Sequence, residues 1–382
     1  MNQPHTFKRL RASFCLTAIA ACMASASAQK LPDSMTWTAY DVGSAGYAEA
    51  SAIADAIGKK FDTRIRIQPS GSSIGRLQPV LQGRADYGFL STEVWFATEG
   101  TEDFAARRWG PQNLRVLAGR PAALGMPTAA DANIRQVSDL KGKRLANVAG
   151  NPSLNVKCDA YLAFGGLTPK DVKVIVFPTY AAAMSSMAQG QADATCTTPT
   201  TSQLYELESS PRGLYWVGVP ADDKVNWARM NAIAPFFAPF KETVGAGMSV
   251  QKPAQVMSYR YPILMTRADM GADEVYNFLK AIDQTFDGYK NATQVMPRWD
   301  LDIAGVPPID APFHEGAVRY LKERGTWTAE HEAWNQARIK RLDALIAAWA
   351  VATKEGKDMS EENFRKLWES HRIKTLASLN SK

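Results

Sequence analysis

The chain has 382 residues, 46% of them hydrophobic and 21% charged, which fits a soluble globular protein with room for two domains. The formal net charge of +6 arises from 44 basic and 38 acidic residues. Three of the basic residues lie before position 29, and the rest of the chain is nearly balanced. Net charge therefore gives no argument for a nucleic-acid partner.

Residues 1–28 have the pattern of an export signal. Lys8, Arg9 and Arg11 precede a short apolar stretch that ends in Ala26-Ser27-Ala28, an A-x-A cleavage site. The segment "IAAC" ending at Cys22 resembles a lipoprotein cleavage box, and lipid attachment there is the less favoured alternative. No second run of about 20 apolar residues follows. We expect a protein released into the periplasm after cleavage of a signal peptide.

Predicted strands and helices then alternate in two similar series. Each series contains the sequence Gln-Gly-x-Ala-Asp, at 82–86 and at 189–193, between a helix and a strand. Alternation of this kind indicates βαβ units and a largely parallel sheet. The first series predicts strands at 36–42, 64–68, 85–91 and 114–119, and helices at 48–60 and 74–82. The second predicts a helix start at 138, helices at 153–165 and 180–189, and strands near 144–148, 171–177 and 192–198.

The last third of the chain changes character. A loop-rich stretch at 234–247 precedes a strand at 258–266 and a helix containing Val275, Phe278, Leu279 and Ile282. From Thr328 onward the pattern is purely helical. We divide the chain into a signal peptide (1–28), the first part of lobe 1 (29–122), lobe 2 (123–250), a return that completes lobe 1 (251–327) and a helical extension (328–382).

Motifs for catalysis or cofactors are weak. The four histidines form no H-E-x-x-H motif, C-x-x-C and P-loop motifs do not occur, and "SGSSIG" at 70–75 only imitates the G-x-S-x-G serine motif. We therefore predict no cofactor, no metal and no catalytic residue. Cys158 and Cys196 are the two cysteines beyond the signal, and export makes a disulfide between them chemically possible. Two separate buried thiols are the alternative.

Turns at strand ends, each leading into a helix, recur along the chain. Such turns expose backbone N–H groups and the positive end of a helix dipole, which suits a carboxylate or similar anion. Simple N-capping is the alternative at each turn. Ligands of parallel sheets bind beyond the carboxyl ends of the strands, so two lobes would place these turns across one cleft. The candidate side chains at these turns are Ser44, Ser73, Asn151, Ser153, Thr197 and Thr198.

Arginines and aromatic residues complete the candidate cleft. Arg76 lies one turn inside a predicted helix and Arg120 ends a predicted strand, so both are candidates for bidentate recognition of a carboxylate. A solvated surface position is the alternative for each. Tyr47, Trp95 and Phe236 lie near predicted loops, where one or two aromatic rings would line a ligand site.

Several segments resemble the TAXI family of TRAP-transporter solute receptors. They are "GSAGY", "PSGSSIGRLQPVLQGRADYGFLSTEV", "SDLKGKRLANVAGNPS", "QGQADATC", "APFFAPF" and "APFHEGAVRYLKERG", spread over residues 35–325. The resemblance implies a periplasmic binding protein with the two-lobed, type II α/β fold. By position it implies ligand contacts from Ser44, Tyr47, Ser73, Ser91, Thr92, residues 151–155 and the turn after Cys196. Arg76 and Ser91 depart from the Asn and Gln that the family tends to carry, and both bear on the ligand.

We therefore expect a non-enzymatic receptor that captures a small organic anion between two lobes and delivers it to a TRAP-type membrane permease. One alternative is a receptor for an ABC importer or a sensor kinase. A second is an enzyme on the same fold, for which Cys196 is the only reactive candidate. A third is an assembly protein that uses the helices after Thr328, which otherwise brace a lobe.

Overall fold

A computed structural model describes Met1 and residues 31–380 of the protein. The predicted signal peptide, with Cys22, lies outside the described residues. The strands are β1 (Ser34–Ala39), β2 (Arg64–Pro69), β3 (Tyr87–Leu90), β4 (Leu114–Leu124), β5 (Met126–Ala129), β6 (Arg144–Val148), β7 (Lys173–Phe177), β8 (Leu214–Val217), β9 (Ala238–Glu242) and β10 (Ala254–Arg267).

The helices alternate with the strands and then run together at the end of the chain. They are α1 (Ala45–Phe61), α2 (Ser73–Leu81), α3 (Glu93–Glu99), α4 (Pro152–Phe164), α5 (Tyr180–Ala188), α6 (Ser202–Ser209), α7 (Lys224–Ile233), α8 (Ala272–Gln284), α9 (Phe286–Tyr289), α10 (Leu301–Ala304), α11 (Glu315–Glu323), α12 (Ala329–Glu355) and α13 (Glu361–Asn380). Within residues 31–380, no helix combines the length and apolar character needed to cross a membrane.

Lobe 1 is built on a mixed sheet with the strand order β2-β1-β3-β10-β4, and β9 pairs with β10 at one end. β1 runs parallel to β2 and β3, whereas β10 is antiparallel to β3 and β4. The apolar face of this sheet is covered by helices. Trp37 on β1, for example, packs against Phe89 on β3 and Phe278 on α8, with ring centroids 5.2 and 5.3 Å apart.

Lobe 2 has its own sheet and its own hydrophobic core. β5 pairs with β8, β6 pairs with β7, and Ala194 bridges the two pairs through Thr128 and Leu145. The predicted strand at 192–198 is thus reduced to isolated bridges. One reason is that the Asp193 carboxylate accepts the backbone N–H of Arg144, which a regular ladder would use for a backbone carbonyl.

The two lobes are joined by β4 and β10, which pair antiparallel along most of their length. Leu114 and Val116 of β4 lie in the core of lobe 1, whereas Leu124, at the other end of the same strand, lies in the core of lobe 2. These two strands are therefore the connection about which the lobes can move. The two-lobed, periplasmic-binding-protein-like α/β fold predicted from the sequence is confirmed.

The C-terminal helices α12 and α13 pack on lobe 1. The Trp349 ring of α12 meets Trp368 and Phe364 of α13, with centroids 4.8 and 5.1 Å apart. The Trp368 indole N–H donates to the carbonyl of Gly100 in lobe 1. Gly110 has a φ of 73°, and a Cβ there would lie 2.3 Å from Trp349 Cε2. The helical extension therefore packs closely against lobe 1 at Gly110.

Candidate functional site

The cleft between the lobes narrows to a small inner cavity. Its volume is about 20 Å³, and its wall includes Tyr40, Ser153, Lys157, Tyr180, Thr197 and Tyr259. Tyr40 follows β1 of lobe 1, Tyr259 lies on the connecting strand β10, and the other four belong to lobe 2. Both lobes and the connection between them therefore contribute to one site, as the strand-end argument predicts.

Hydroxyl and amide groups connect the two lobes beside the inner cavity. The Ser73 hydroxyl at the start of α2 donates to Asn151 Oδ1 at 2.8 Å. The hydroxyls of Thr92 and Ser153 are 3.0 Å apart, and both side chains are fully buried. Asp41 Oδ2 accepts the backbone N–H of Ala181 at the N-terminus of α5. The lobes are thus closed on each other, and several predicted site residues form the contacts that hold them.

Arg76 is buried at the cleft, but its charge is balanced within the protein. Its Nε and Nη2 donate to Glu93 Oε1 at 3.0 and 2.9 Å, and both side chains are fully buried. Nη1 donates to the carbonyl of Ser70, Nη2 also donates to Ser73, and the guanidinium lies 3.5 Å from the centroid of the Tyr40 ring. The surface alternative is wrong for Arg76, and the guanidinium already has a carboxylate.

Arg120 follows the same pattern. Its Nε and Nη2 donate to the two oxygens of Glu49, each at 2.6 Å, in a bidentate pair that is almost fully buried. The indole N–H of Trp299 donates to the same carboxylate at 2.7 Å. The surface alternative is wrong here too, because the pair links α1 to the strand that connects the lobes.

Lys157, which is not among the residues predicted from the sequence, is a buried cation without a carboxylate partner among the described residues. Only 3% of the residue is exposed, and its ammonium donates to the Ser91 hydroxyl at 2.7 Å and to the Ser153 hydroxyl at 3.4 Å. The nitrogen lies 3.9 Å from the centroid of the Tyr259 ring. No carboxylate among the described residues forms an ion pair with it within 4.0 Å.

The surroundings of Lys157 shift its protonation equilibrium. Burial lowers the pKa of Lys157 to about 7, because the charged form loses its hydration. The more distant charges of Glu93 and Asp310 oppose this effect, and that of Arg76 adds to it. Burial likewise raises the pKa of Asp310 to about 7. An anion beside Lys157 would favour its charged form and raise this pKa again.

The structure brings most of the predicted side chains to this cleft. Ser153, Thr197 and Thr198 line the inner cavity, and the Thr197 hydroxyl bonds to Tyr180 and Thr201. The predicted residues Ser73, Arg76, Ser91, Thr92 and Asn151 lie immediately behind it, in the contacts described above.

Two predicted residues serve other purposes. The Ser44 hydroxyl accepts the backbone N–H of Tyr47 and donates to the carbonyl of Asp41, so it caps its own helix. Capping at Ser44 also starts α1 three residues earlier than predicted. Tyr47 lines a separate surface cavity with Ile65 and Ile67. Tyr40, seven residues earlier, is one of the aromatic residues that line the cleft instead.

Cys158 and Cys196 form a disulfide, which settles the alternative that the sequence left open. Their Cα atoms are 5.5 Å apart, well within the range for a bridge. The bond ties α4, the helix that carries Lys157, to the turn that carries Thr197 and Thr198. Cys196, the candidate nucleophile of the enzymatic alternative, is therefore not a free thiol, and no cluster of metal-ligating residues occurs among the described residues.

The missed residues carried weak signals in the sequence. Lys157 lies four residues after Ser153, a spacing that places both on one helical face. Tyr259 and Tyr261 are two residues apart on β10, and so point to the same side of the sheet. Glu93 directly follows the predicted pair Ser91 and Thr92. Because lysines on helices are usually exposed, this spacing alone does not predict a buried ammonium.

Comparison with solved structures finds two-lobed binding proteins at low identity. The alkanesulfonate-binding protein SsuA from Xanthomonas axonopodis pv. citri, bound to MOPS, is 15% identical, with 77% of this chain and 91% of that chain covered and a TM-score of 0.45. An amino acid ABC transporter substrate-binding protein, AbpA from Streptococcus pneumoniae, bound to L-arginine, is 13% identical, with 71% and 94% covered and a TM-score of 0.39. These scores assign no ligand to the present chain.

A protein from Bordetella bronchiseptica RB50 is similar at the same level, with 17% identity, 78% of this chain and 91% of that chain covered, and a TM-score of 0.47. No curated protein sequence matches the chain. A family model does match, and it extends from residue 38 to residue 325, over both lobes and the strands that connect them. By that match the chain belongs to the NMT1-like family.

Proposed function

We propose that this protein is an extracytoplasmic solute-binding receptor that closes two lobes over a small organic anion and delivers it to a TRAP-type membrane permease. The two-lobed fold supports a solute-binding role. The anion is supported by one observation above all, which is the buried ammonium of Lys157 at the inner cavity without a carboxylate partner. A ligand carboxylate would complete the ion pair that the protein itself leaves incomplete.

The neighbours of Lys157 leave room for such a contact. An ammonium has three N–H donors, and the Ser91 and Ser153 hydroxyls take two of them. The third is available to an oxygen of the ligand. Thr197 and Thr198 also line this cavity. Arg76 and Arg120 act in this proposal as charged supports, because each is already paired with a glutamate.

Closure of the lobes would follow from the same residues. The contacts Ser73–Asn151 and Thr92–Ser153 form only when α2 and α3 of lobe 1 meet α4 of lobe 2. An anion held between Lys157 and lobe 1 would favour this arrangement and exclude water from it. Hinge motion about β4 and β10 would then release the ligand at the permease.

The proposed location rests on two features of the chain. The Cys158–Cys196 disulfide is typical of an oxidising compartment, which agrees with export to the periplasm. The signal peptide and the less favoured lipid attachment at Cys22 remain predictions from the sequence.

Isothermal titration calorimetry of the purified protein with a series of mono- and dicarboxylic acids tests whether the ligand is an organic anion. We expect Lys157→Met to weaken the best ligand by about 100-fold, since a charged hydrogen bond in a buried site is lost. Lys170→Met is the matched control, because Lys170 is exposed in the same lobe. If no organic acid binds, or if both variants bind like the unmodified protein, the proposal is wrong.

Uptake by membrane vesicles tests delivery. With the permease genes co-expressed, labelled ligand should accumulate on an ion gradient and without ATP. Accumulation that needs ATP would instead assign the protein to an ABC importer, which is the alternative that the sequence leaves open.

A further inference from the structure

A second and much larger cavity lies next to the inner one. Its volume is about 620 Å³, against about 20 Å³ for the cavity at Lys157. The larger value falls in the range of pockets that enclose whole small molecules, whereas the smaller has room for little more than one water-sized group. The inner cavity alone would therefore accept only a small part of an organic ligand.

Both lobes, the connecting strand β10 and the C-terminal extension contribute residues to the wall of the large cavity. Trp95 lies on α3 of lobe 1, Phe236 and Phe237 follow α7 of lobe 2, Tyr259 lies on the connecting strand β10, and Trp334 lies on α12 of the C-terminal extension. These five rings share the lining with prolines and with the charged side chains of Arg260, Asp310 and Arg338. Such rings suit a flat, apolar group.

Tyr259 is common to both cavities. Its ring lies 3.9 Å from the Lys157 nitrogen, and the same side chain borders the large cavity. A ligand that passes Tyr259 would place a charged head beside Lys157 and its apolar body among the aromatic rings. The two cavities then form the two ends of one binding site.

Two polar atoms on side chains that line the large cavity have no hydrogen-bond partner among the described residues. Oδ2 of Asp310, a residue only 5% exposed, has none, and neither has Nε of Arg338. Buried polar atoms without partners are rare in folded proteins and usually await a water or a ligand. The remaining Arg338 contacts are made, since Nη2 donates to the carbonyl of Asp310 and Nη1 lies 3.5 Å from Glu99. A polar substituent on the ligand body would satisfy the two free atoms.

We propose that the ligand is an amphipathic carboxylate with an aromatic or cyclic body, held by Lys157 at its head and by Trp95, Phe236 and Trp334 around its body. This inference rests on the proposed function, because it takes the anion site at Lys157 as given. It narrows the ligand class from small acids to aryl or alicyclic acids. It also gives α12 a part in the site, since Trp334 and Arg338 belong to that helix.

Two acids with the same head test the inference by calorimetry. 3-Phenylpropionate should bind at least about tenfold more tightly than propionate, because the ring is removed from water. Phe236→Ala should abolish most of that difference. Tyr205→Ala is the control, since Tyr205 is an exposed aromatic side chain of α6. Trp95→Leu provides a second variant that keeps an apolar side chain at the cavity.

The outcomes separate this inference from the proposed function. Equal affinity for the two acids, lost in both cases with Lys157→Met, would overturn the amphipathic ligand and keep the anion receptor. Binding of 3-phenylpropionate that depends on Phe236 but not on Lys157 would make the large cavity a separate site and also overturn the inference. If neither these acids nor the wider acid series binds, the proposed function itself is wrong.

Discussion

A buried cation lies on the lobe 1 wall of the cleft and another on the lobe 2 wall, and the two differ in their ion-pair partners. On the lobe 1 side, Arg76 of α2 is paired with Glu93 of α3 and stacked on Tyr40. On the lobe 2 side, Lys157 of α4 has hydroxyl and ring contacts but no carboxylate within salt-bridge distance among the described residues. The sequence pointed to the arginine as the anion-binding residue, whereas the geometry favours the lysine.

Whether a buried cation has a carboxylate partner within the protein indicates whether its role is structural or ligand-binding. A buried ion pair that is complete contributes little net stability, but removal of one partner is costly because the other charge is stranded. A buried cation that is incomplete lowers stability until something binds to it. The two walls should therefore respond to mutation in opposite directions, and the following predictions test that opposition from the largest expected effect to the smallest.

Loss of Arg76 should have the largest effect on folding. We expect Arg76→Ala to reduce the free energy of unfolding by about 3–5 kcal/mol, because Glu93 is left buried without its partner. Urea unfolding measures the change, and Arg84→Ala, an exposed neighbour, is the control. The double variant Arg76→Ala, Glu93→Ala should lose less than the sum of the single changes. A loss below about 1 kcal/mol in the single variant would show that the pair is not structurally required.

Loss of the disulfide should have the second-largest effect on stability. Replacement of Cys158 and Cys196 by alanine should reduce the free energy of unfolding by about 2–4 kcal/mol, since the bridge closes a loop with a sequence separation of 38. Calorimetric melting of the oxidised protein, the alanine variant and the reduced protein checks this. The alanine variant and the reduced protein should agree; if they melt like the oxidised protein, the bridge contributes nothing to stability.

Lys157→Met, on the lobe 2 wall, should instead increase the free energy of unfolding. The methionine fills a similar volume and removes a buried charge that has no ion-pair partner, so we expect a gain of roughly 2 kcal/mol in the free energy of unfolding at pH 6. The same variant should lose anion binding. A single substitution would then increase stability and abolish anion binding. Destabilisation by this variant would mean that the ammonium is a structural element like Arg76.

The pH dependence follows from the pKa of Lys157, which lies at about 7 in the folded protein against an ordinary value of 10.5. Between these values the unfolded chain binds a proton that the folded protein has released, so this group makes stability rise with pH from about 7 to about 10.5. Asp310, whose pKa is raised to about 7, makes stability fall as pH rises from about 4 to about 7.

Anion affinity should follow the ammonium form of Lys157 and fall as pH rises above 7. Glu93, Asp310 and Arg76 are the charged groups near the nitrogen. Calorimetry over a pH series in buffers of different ionisation enthalpy would detect the linked proton uptake. In Lys157→Arg, which keeps its charge, the fall above pH 7 should disappear. A pH-independent affinity in the unmodified protein would exclude Lys157 as the titrating contact.

The smallest effect is expected at the contact between the lobes. Thr92→Val removes the hydroxyl that bonds to Ser153 and should cost the closed arrangement about 1 kcal/mol, or about fivefold in ligand affinity. Thr92→Ser, which keeps the hydroxyl, is the control. Small-angle X-ray scattering should show a larger radius of gyration for the valine variant without ligand. Identical scattering and affinity for both variants would contradict a role in closure.

Much of the fold followed from local pattern, whereas the charged part of the site did not. The helix predicted at 74–82 is observed at Ser73–Leu81, because apolar periodicity and the serine caps are local properties. The strand predicted at 64–68 matches β2 for the same reason. The Arg76–Glu93 pair joins two helices, and only tertiary packing decides whether such a pair forms. The sequence likewise could not show that Lys157 is buried or that Tyr40, and not Tyr47, faces the cleft.

The fit of Gly110 against Trp349 has a consequence for the history of the chain. The positive φ and the 2.3 Å separation mean that no side chain can occupy position 110 while the Trp349 indole stays in place. A relative that lacks the helices corresponding to α12 and α13 is free of the steric part of this restriction. Across an alignment, glycine at this position should therefore occur together with the C-terminal extension, and its replacement should mark members in which the extension is absent or packs elsewhere.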